Sequence, residues 1–358
     1  MALVHTAHQA ELCKIPNTEF HYLRQGVRKW GLEARPLPKN VKWVSHFDPK
    51  KYDLCLLHTD QDVVHRVSGK SSLFLEVSEL VKDSGVPVIV INHGTPYHPE
   101  AFQDVGITER QHIKYIVGEL QGILKPVADH IINNSHQATK MMGIGETIWH
   151  GMDTNEWKSE PKEPRAIVSI APAGWSAYYN RPLLTEVKRQ MKEKLGYEKG
   201  IFHCMADAEF TSFEAYSQFV GRSLVYFFPG YQSPMPRSRT EAMHAGCCVV
   251  TTKHHDADKF IENGVNGFVV PDNPEYISNL LVELLSPYRM ITKRDASGKQ
   301  VTELAPTRYP YEKVVEIGKR GQKTAREVFN GKRFRDEWEQ VIKQVLNKKG
   351  NNVKEKYG

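Results

Sequence analysis

A chain of 358 residues is longer than one ordinary domain of about 100–200 residues, so two domains are expected. With 40% hydrophobic and 25% charged residues it has the composition of a globular protein that needs no disulfide or metal staple, which excludes a disordered or fibrous chain. The net charge of +6 and pI near 8.8 suit an anionic partner such as a nucleotide sugar, a phospholipid surface or nucleic acid, although on charge alone a lysine-rich solvated surface is the preferred explanation.

In chain order, HQAELCKI (8–15) reads as a helix and FHYLRQG (20–26) as a strand. YDLCLLH (52–58) is a compact apolar run, the mark of a buried strand. SSLFLEVSELVKDSG (71–85) has helical spacing with Gly85 as its stop, and VPVIVIN (86–92) is rich in β-branched residues. A helix over 107–122, a short strand DHIINNS (129–135) and a helix HQATKMMG (136–143) complete a first unit. The polar, proline-bearing stretch 153–165 reads as a linker.

The rhythm then restarts. AIVSIA (166–171), GIFHCMA (200–206), SLVYFFP (223–229), CCVVTT (247–252) and GFVVP (267–271) read as strands. RPLLTEVKRQMKEKLG (181–196) and SFEAYSQFVG (212–221) read as helices between them. Alternating strands and helices predict parallel sheets covered on both faces, with ligands at the carboxyl ends of the strands. Residues 286–313 fit neither rhythm and read as a long basic loop. A last helix carries Phe334, Trp338, Val341, Ile342, Val345 and Leu346 as a core-facing stripe, and a polar tail follows it. The expected organisation is therefore an N-terminal domain 1–152, a linker 153–165, a C-terminal domain 166–330, a helix 331–347 and a flexible tail 348–358.

Five cysteines, an odd number without a Cys-x-x-Cys pair, indicate neither a disulfide framework nor a zinc ribbon and fit a reducing, cytoplasmic setting. The first residues, MALVHTAHQAELCK, lack the basic and apolar regions of a signal peptide, and no apolar run approaches the roughly 20 residues of a membrane span. Stable membrane insertion is not expected; a peripheral place at a membrane surface stays open. Without Gly-x-Gly-x-x-Gly or a Walker loop, NAD and ATP chemistry find no support. No cofactor is expected.

The chemistry concentrates in SLVYFFPGYQSPMPRSRTEAMHAGCCVV (223–250). A strand runs into a proline-bearing loop, and a helix opens near Ser238 or Thr240. A helix start at the carboxyl edge of a sheet presents free N–H groups and a positive dipole, a natural phosphate site. Arg237 and Arg239 would add charge-assisted hydrogen bonds to a diphosphate. Glu241 would accept from sugar or ribose hydroxyls; its plainer role is a helix-start carboxylate.

The order Glu241-Ala-Met-x-Ala-Gly, a valine-rich strand, then Glu-Asn-Gly-x-Asn-Gly-Phe-Val-Val-Pro resembles the donor site of retaining GT-B glycosyltransferases of the Glu-x7-Glu type. IINNSHQATKMMGIGETIWHGMDTNEW, with Gly151 and Asp153 as a Gly-x-Asp signal, resembles the family's passage between domains. The resemblance implies two Rossmann-like domains whose parallel sheets face a central cleft. It also implies transfer of a hexose from a nucleotide-diphosphate sugar, most simply a UDP-sugar, to an acceptor hydroxyl, with retention and without a metal. Glu241 matches the ribose-binding Glu. Ser233 stands where the first Glu is expected, and Ser238 lies beside the helix start. Arg181 falls near the family's diphosphate-binding Lys, whereas the preceding Arg has no match at Pro172 or Ala173. VIVINHGTPYHPE resembles the strand that delivers a catalytic His, here His93.

On the acceptor side the resemblance points to His8, near the first loop, and Asp60, just past a strand, reads as lining the cleft at most. Asp60-Gln-Asp62 also admits a metal-dependent single-domain reading, which the two-unit architecture opposes. The acceptor is expected to be a glycan or lipid-linked glycan, with a modified DNA base as the alternative that the basic 286–313 segment suggests. A sugar-nucleotide epimerase and a non-catalytic sugar-nucleotide binder on the same scaffold also stay open. Nothing in the sequence speaks to oligomeric state.

Overall fold

The computed structural model describes residues 5–23, 30–31, 35–64, 69–96, 108–169, 179–195, 202–204, 210–231, 233 and 235–357. The end of the first expected strand beyond 23, the His93 motif beyond Pro96, both ends of the strand 200–206, and Pro172 and Ala173 lie outside these residues.

In the first unit α1 (Thr6–Leu12) is followed by β1 (Phe20–Leu23) and β2 (Val41–Val44), which pair in parallel. Then come β3 (Cys55–Thr59), α2 (Gly69–Lys82), β4 (Val88–Asn92), α3 (Glu109–Leu124), β5 (His130–Asn133), α4 (His136–Met142) and the short β6 (Glu146–Thr147). β3, β4, β5 and β6 form one parallel sheet in that order. Every residue of β3 and β4 is buried, as expected of a sheet packed on both faces. α3 opens on a capping box: Gln111 N–H donates to Thr108 Oγ1, and the Gln111 side chain accepts from Thr108 N–H.

The second unit contains β7 (Glu163–Val168), α5 (Arg181–Leu195), β8 (Phe202–Cys204), α6 (Phe213–Arg222), β9 (Ser223–Phe228), α7 (Arg237–His244), β10 (Cys248–Thr252), β11 (Phe268–Val270) and α8 (Pro274–Leu285). Its sheet is parallel throughout, in the order β11-β10-β9-β7-β8. β7 begins at Glu163, inside the stretch read as linker. Residues 286–313 are not a loop. β12 (Tyr288–Arg294) and β13 (Gln300–Pro306) form an antiparallel hairpin whose two-faced threonine, lysine and arginine pattern hid it from a search for buried strands. Arg308 anchors its base with a paired contact of 2.9 and 3.0 Å to Glu283 on α8.

α9 (Tyr311–Val328) packs on α7 and β10. α10 (Gly331–Tyr357) then crosses back. Phe334, Trp338, Val341 and Val345 join the core of the first unit, against Ile89, Ile91 and Ile132. The expected stripe is therefore core, and the helix continues through the stretch read as a tail. The crossing explains Gly151: a β-carbon there would run into the Phe334 Cβ and the Asn330 carbonyl. Nearby, Met152 N–H donates to the Phe329 carbonyl, and Arg333 donates to the carbonyls of Trp149 and His150. Among the described residues no helix is long and apolar enough to cross a membrane.

Candidate donor and sugar site

α7 starts at Arg237, right after Pro236, whose fixed φ prepares the turn. It follows the carboxyl end of β9, so its free N–H groups open at the sheet edge. The helix begins earlier than the sequence suggests, which moves Glu241 from the first turn into the second. Gly246 ends it with a left-handed φ of 76°, letting Cys247 N–H reach back to the Ala242 carbonyl at 2.9 Å.

Glu241 is buried and both of its oxygens are used. The Tyr216 hydroxyl donates to Oε2 at 2.6 Å. Arg35 Nη2 donates to Oε1 at 3.2 Å, and Arg237 Nε lies 3.4 Å from the same atom. Arg35 also lies 3.4 Å from Glu156 and stacks on Phe213 at 4.3 Å. Arg237 Nη2 donates to Glu11 Oε1 at 3.3 Å, and Lys14 bridges Glu11 and Glu156. Three acids and three bases from α1, the residue-35 segment, the linker turn and α7 thus form one mostly buried ionic cluster between the two units. Burial raises the Glu11 pKa, and the charge of Arg237 opposes that rise. Arg237 Nη1 is buried and has no hydrogen-bond partner among the described residues. One arm of this guanidinium is therefore held by carboxylates while another is left to donate.

The other expected donor residues divide. Ser238 pairs with the Tyr226 hydroxyl at 2.8 Å beside the helix start. Arg181 opens α5, half-buried and without an ion pair or hydrogen bond among the described residues, two positions after Tyr179, whose ring meets Phe228 at the end of β9. Ser233 is half-buried. Arg239 turns into the domain core: it donates to the carbonyls of His254 and His255 at 3.3 and 2.8 Å and lies 5.1 Å over Phe260. Its job there is to hold the loop after β10.

In the first unit His93 follows β4, and its N–H donates to the Thr59 carbonyl at 2.7 Å. Its ring stacks on His58 with Nε2 2.8 Å from His58 Nδ1, while Asn134 Nδ2 lies 2.8 Å from its Nδ1. His8 sits within α1, rather than ahead of it, and its ring meets His93 edge-on at 4.9 Å. Burial, followed by the charge of Arg237, lowers the His8 pKa to about 3, so the imidazole is neutral near pH 7. Burial likewise holds His58 and His150 well below the usual histidine range. Asp60 accepts from Asp62 N–H at 3.1 Å and caps the short turn Gln61–Val63. Among the described residues no group of three or more His, Cys, Asp or Glu side chains is placed to hold a metal ion.

Sequence reasoning missed Glu11, Arg35, Glu156, Tyr216, His58 and Asn134. His58 at a strand end was the one accessible signal; the others meet only in three dimensions. Asp256, visible in the sequence only as part of a second Asp-x-Asp triplet, joins the units a second time. Its carboxylate accepts from His136 N–H at 2.7 Å, Gln137 N–H at 3.0 Å and Trp149 Nε1 at 2.9 Å, capping α4 from the other domain.

Two parallel α/β units and a last helix returning to the first unit define the GT-B fold. Solved structures agree. The chain aligns with Anabaena Alr3699/HepE in complex with UDP and glucose at a TM-score of 0.58 and 16% identity, covering 93% of this chain and 95% of that one. It aligns with sucrose-phosphate synthase from Thermosynechococcus elongatus at 0.56 and 14%, covering 83% and 74%. A glycosyltransferase from Rickettsia africae ESF-5 aligns at 0.54 and 14%, covering 95% and 94%. At the level of family, residues 186–287 match the family model for Glycosyl transferases group 1, and that segment holds α7, Glu241 and Arg237. No curated protein matches the chain.

Proposed function

We propose that the protein is a retaining, metal-independent glycosyltransferase that moves a hexose from a UDP-sugar to a hydroxyl of a glycan or lipid-linked glycan. The observation that carries this reading is the start of α7. A helix N-terminus opens at a sheet's carboxyl edge beside Arg237, whose Nη1 has no hydrogen-bond partner among the described residues. The helix dipole and this guanidinium suit a diphosphate, and Arg181 approaches from the start of α5. The group 1 match over the same segment, and the UDP bound by the structurally similar HepE, support it.

In the proposed reaction the bond from the anomeric carbon to the diphosphate oxygen breaks while the acceptor oxygen bonds on the same face. The acceptor proton passes to the departing phosphate oxygen. Fixed positive charge at α7 and Arg237 stabilises that leaving group, and holding both substrates in the cleft supplies much of the remaining rate. Glu241 first acts by aiming Arg237. Arg35 from the first unit donates to Glu241 Oε1, so a ribose hydroxyl accepted there would lie beside the contact that joins the two units.

The test is a thermal-shift and turnover screen with UDP-, GDP- and ADP-sugars against glycan acceptors, since ligands of the native state raise its stability. UDP-sugars are expected to give the largest shift and slow hydrolysis without acceptor. Binding without turnover for every donor and acceptor would leave a sugar-nucleotide binder. Interconversion of the free donor would make it an epimerase.

A further inference from the structure

His93 is the expected catalytic histidine, yet neither of its ring nitrogens is left for a substrate. With the Asn134 amide as placed, Nδ2 can only donate, so His93 Nδ1 accepts and the His93 proton sits on Nε2. That proton points at His58 Nδ1, 2.8 Å away, which in turn puts the His58 proton on Nε2. The relay Asn134–His93–His58 runs across the carboxyl ends of β5, β4 and β3, the edge where parallel sheets bind ligands. It ends on His58 Nε2, which is buried and has no hydrogen-bond partner among the described residues. The ring of His8 lies 6.1 Å from that of His58, edge to face, and His8 Nε2 is likewise buried without a hydrogen-bond partner there. Buried polar atoms are nearly always satisfied, and these two orphaned nitrogens, on rings 6.1 Å apart at a ligand-binding edge, call for a partner.

We propose that His58 Nε2 and His8 Nε2 form the seat for a hydroxyl of the transferred sugar, with His93 the positioning residue behind them. The inference rests on the glycosyltransferase reading. A neutral imidazole offers one donor or one acceptor per nitrogen, the match for a hydroxyl, which both donates and accepts. A phosphate would call for cations, and burial keeps His8 and His58 neutral. A metal cation would meet the charge of Arg237, which His8 already feels. That same proximity assigns the hydroxyl to the donor: Arg237 is the diphosphate anchor, and the sugar attached to the diphosphate comes within reach of α1.

Calorimetric titration of UDP and of UDP-glucose, UDP-galactose and UDP-N-acetylglucosamine separates the possibilities. His58→Asn can keep an acceptor for the His93 proton while removing Nε2; His8→Phe removes the second nitrogen and keeps the ring. Each variant is expected to bind UDP within about twofold of wild type and its best UDP-sugar about tenfold more weakly. Unchanged UDP-sugar affinity in both variants would overturn the proposal. So would an equal loss for UDP and UDP-sugar, which marks a structural role only. A wild-type protein that binds neither UDP nor any UDP-sugar would overturn the glycosyltransferase reading itself, and this inference with it.

Discussion

The two polar walls of the candidate site are both largely buried but built from opposite chemistry. Around α7 the polar groups are ions: Glu11, Glu156 and Glu241 against Lys14, Arg35 and Arg237. Along the edge of β3, β4 and β5 they are imidazoles and an amide, His8, His58, His93 and Asn134, of which burial holds His8 and His58 neutral. Charge can be buried on the first wall because each ion meets an opposite one; on the second, burial keeps histidine neutral. The difference matches the proposed substrate, whose diphosphate is anionic and whose sugar is not.

The largest expected effect comes from unbalancing the ionic wall. Arg35→Met keeps much of the side chain's bulk over Phe213 but takes a cation from Glu241, Glu11 and Glu156. Removing one partner of a buried ion pair costs about 3–5 kcal/mol, to be read from urea denaturation midpoints. A loss below about 1 kcal/mol would mean that the ions do not hold the units together.

The neutral wall should respond to acid instead. His8 has its folded pKa lowered to about 3, below the unfolded value near 6.5. The unfolded chain therefore takes up protons first. Stability is fully present above about pH 6.5 and is lost as pH falls toward the folded values, by about 1.4 kcal/mol per pH unit for each histidine kept neutral. Between pH 6.5 and 5 His8 alone accounts for about 2 kcal/mol, and His8→Gln should flatten the slope by that amount. A flat profile down to pH 5 would contradict the neutral wall.

These two walls were unequally legible in the sequence. The β-branched runs at 86–92 and 247–252 and the Glu241-Ala-Met passage exposed the sheets, the parallel topology and α7, because buried strands and helix starts leave local patterns. His93 was singled out through the resemblance of the strand before it, and His8 through its place near the first loop. Arg35 was not: VRKWGLEARP has no periodicity, and its meaning depends on Glu241, 206 positions away. The hairpin 288–306 was missed because a two-stranded ribbon open to solvent carries no apolar signature, and Arg239 looked like its neighbour Arg237 until the helix phase turned it into the core.

Asp256 gives a smaller test. It resembles the ionic wall in joining the two units, but through one carboxylate on the N-terminus of α4. Asp256→Ala should cost about 1–2 kcal/mol, the range of a lost helix cap, and lower donor affinity only through looser packing of the units. A loss as large as that of Arg35→Met would erase the distinction between the two joints. The smallest stability effect is expected at Arg181→Ala, within about 0.5 kcal/mol, because its side chain has no ion pair or hydrogen bond among the described residues; UDP affinity should nevertheless fall severalfold.

The most direct test of the account is calorimetric titration of UDP into wild type and Arg237→Ala. Wild type is expected to bind, and the variant to bind about tenfold or more weakly, the loss of one charge-assisted hydrogen bond at about 1.5–3 kcal/mol. Equal affinities, or no binding by wild type at millimolar UDP, would contradict the placement of the diphosphate at the start of α7.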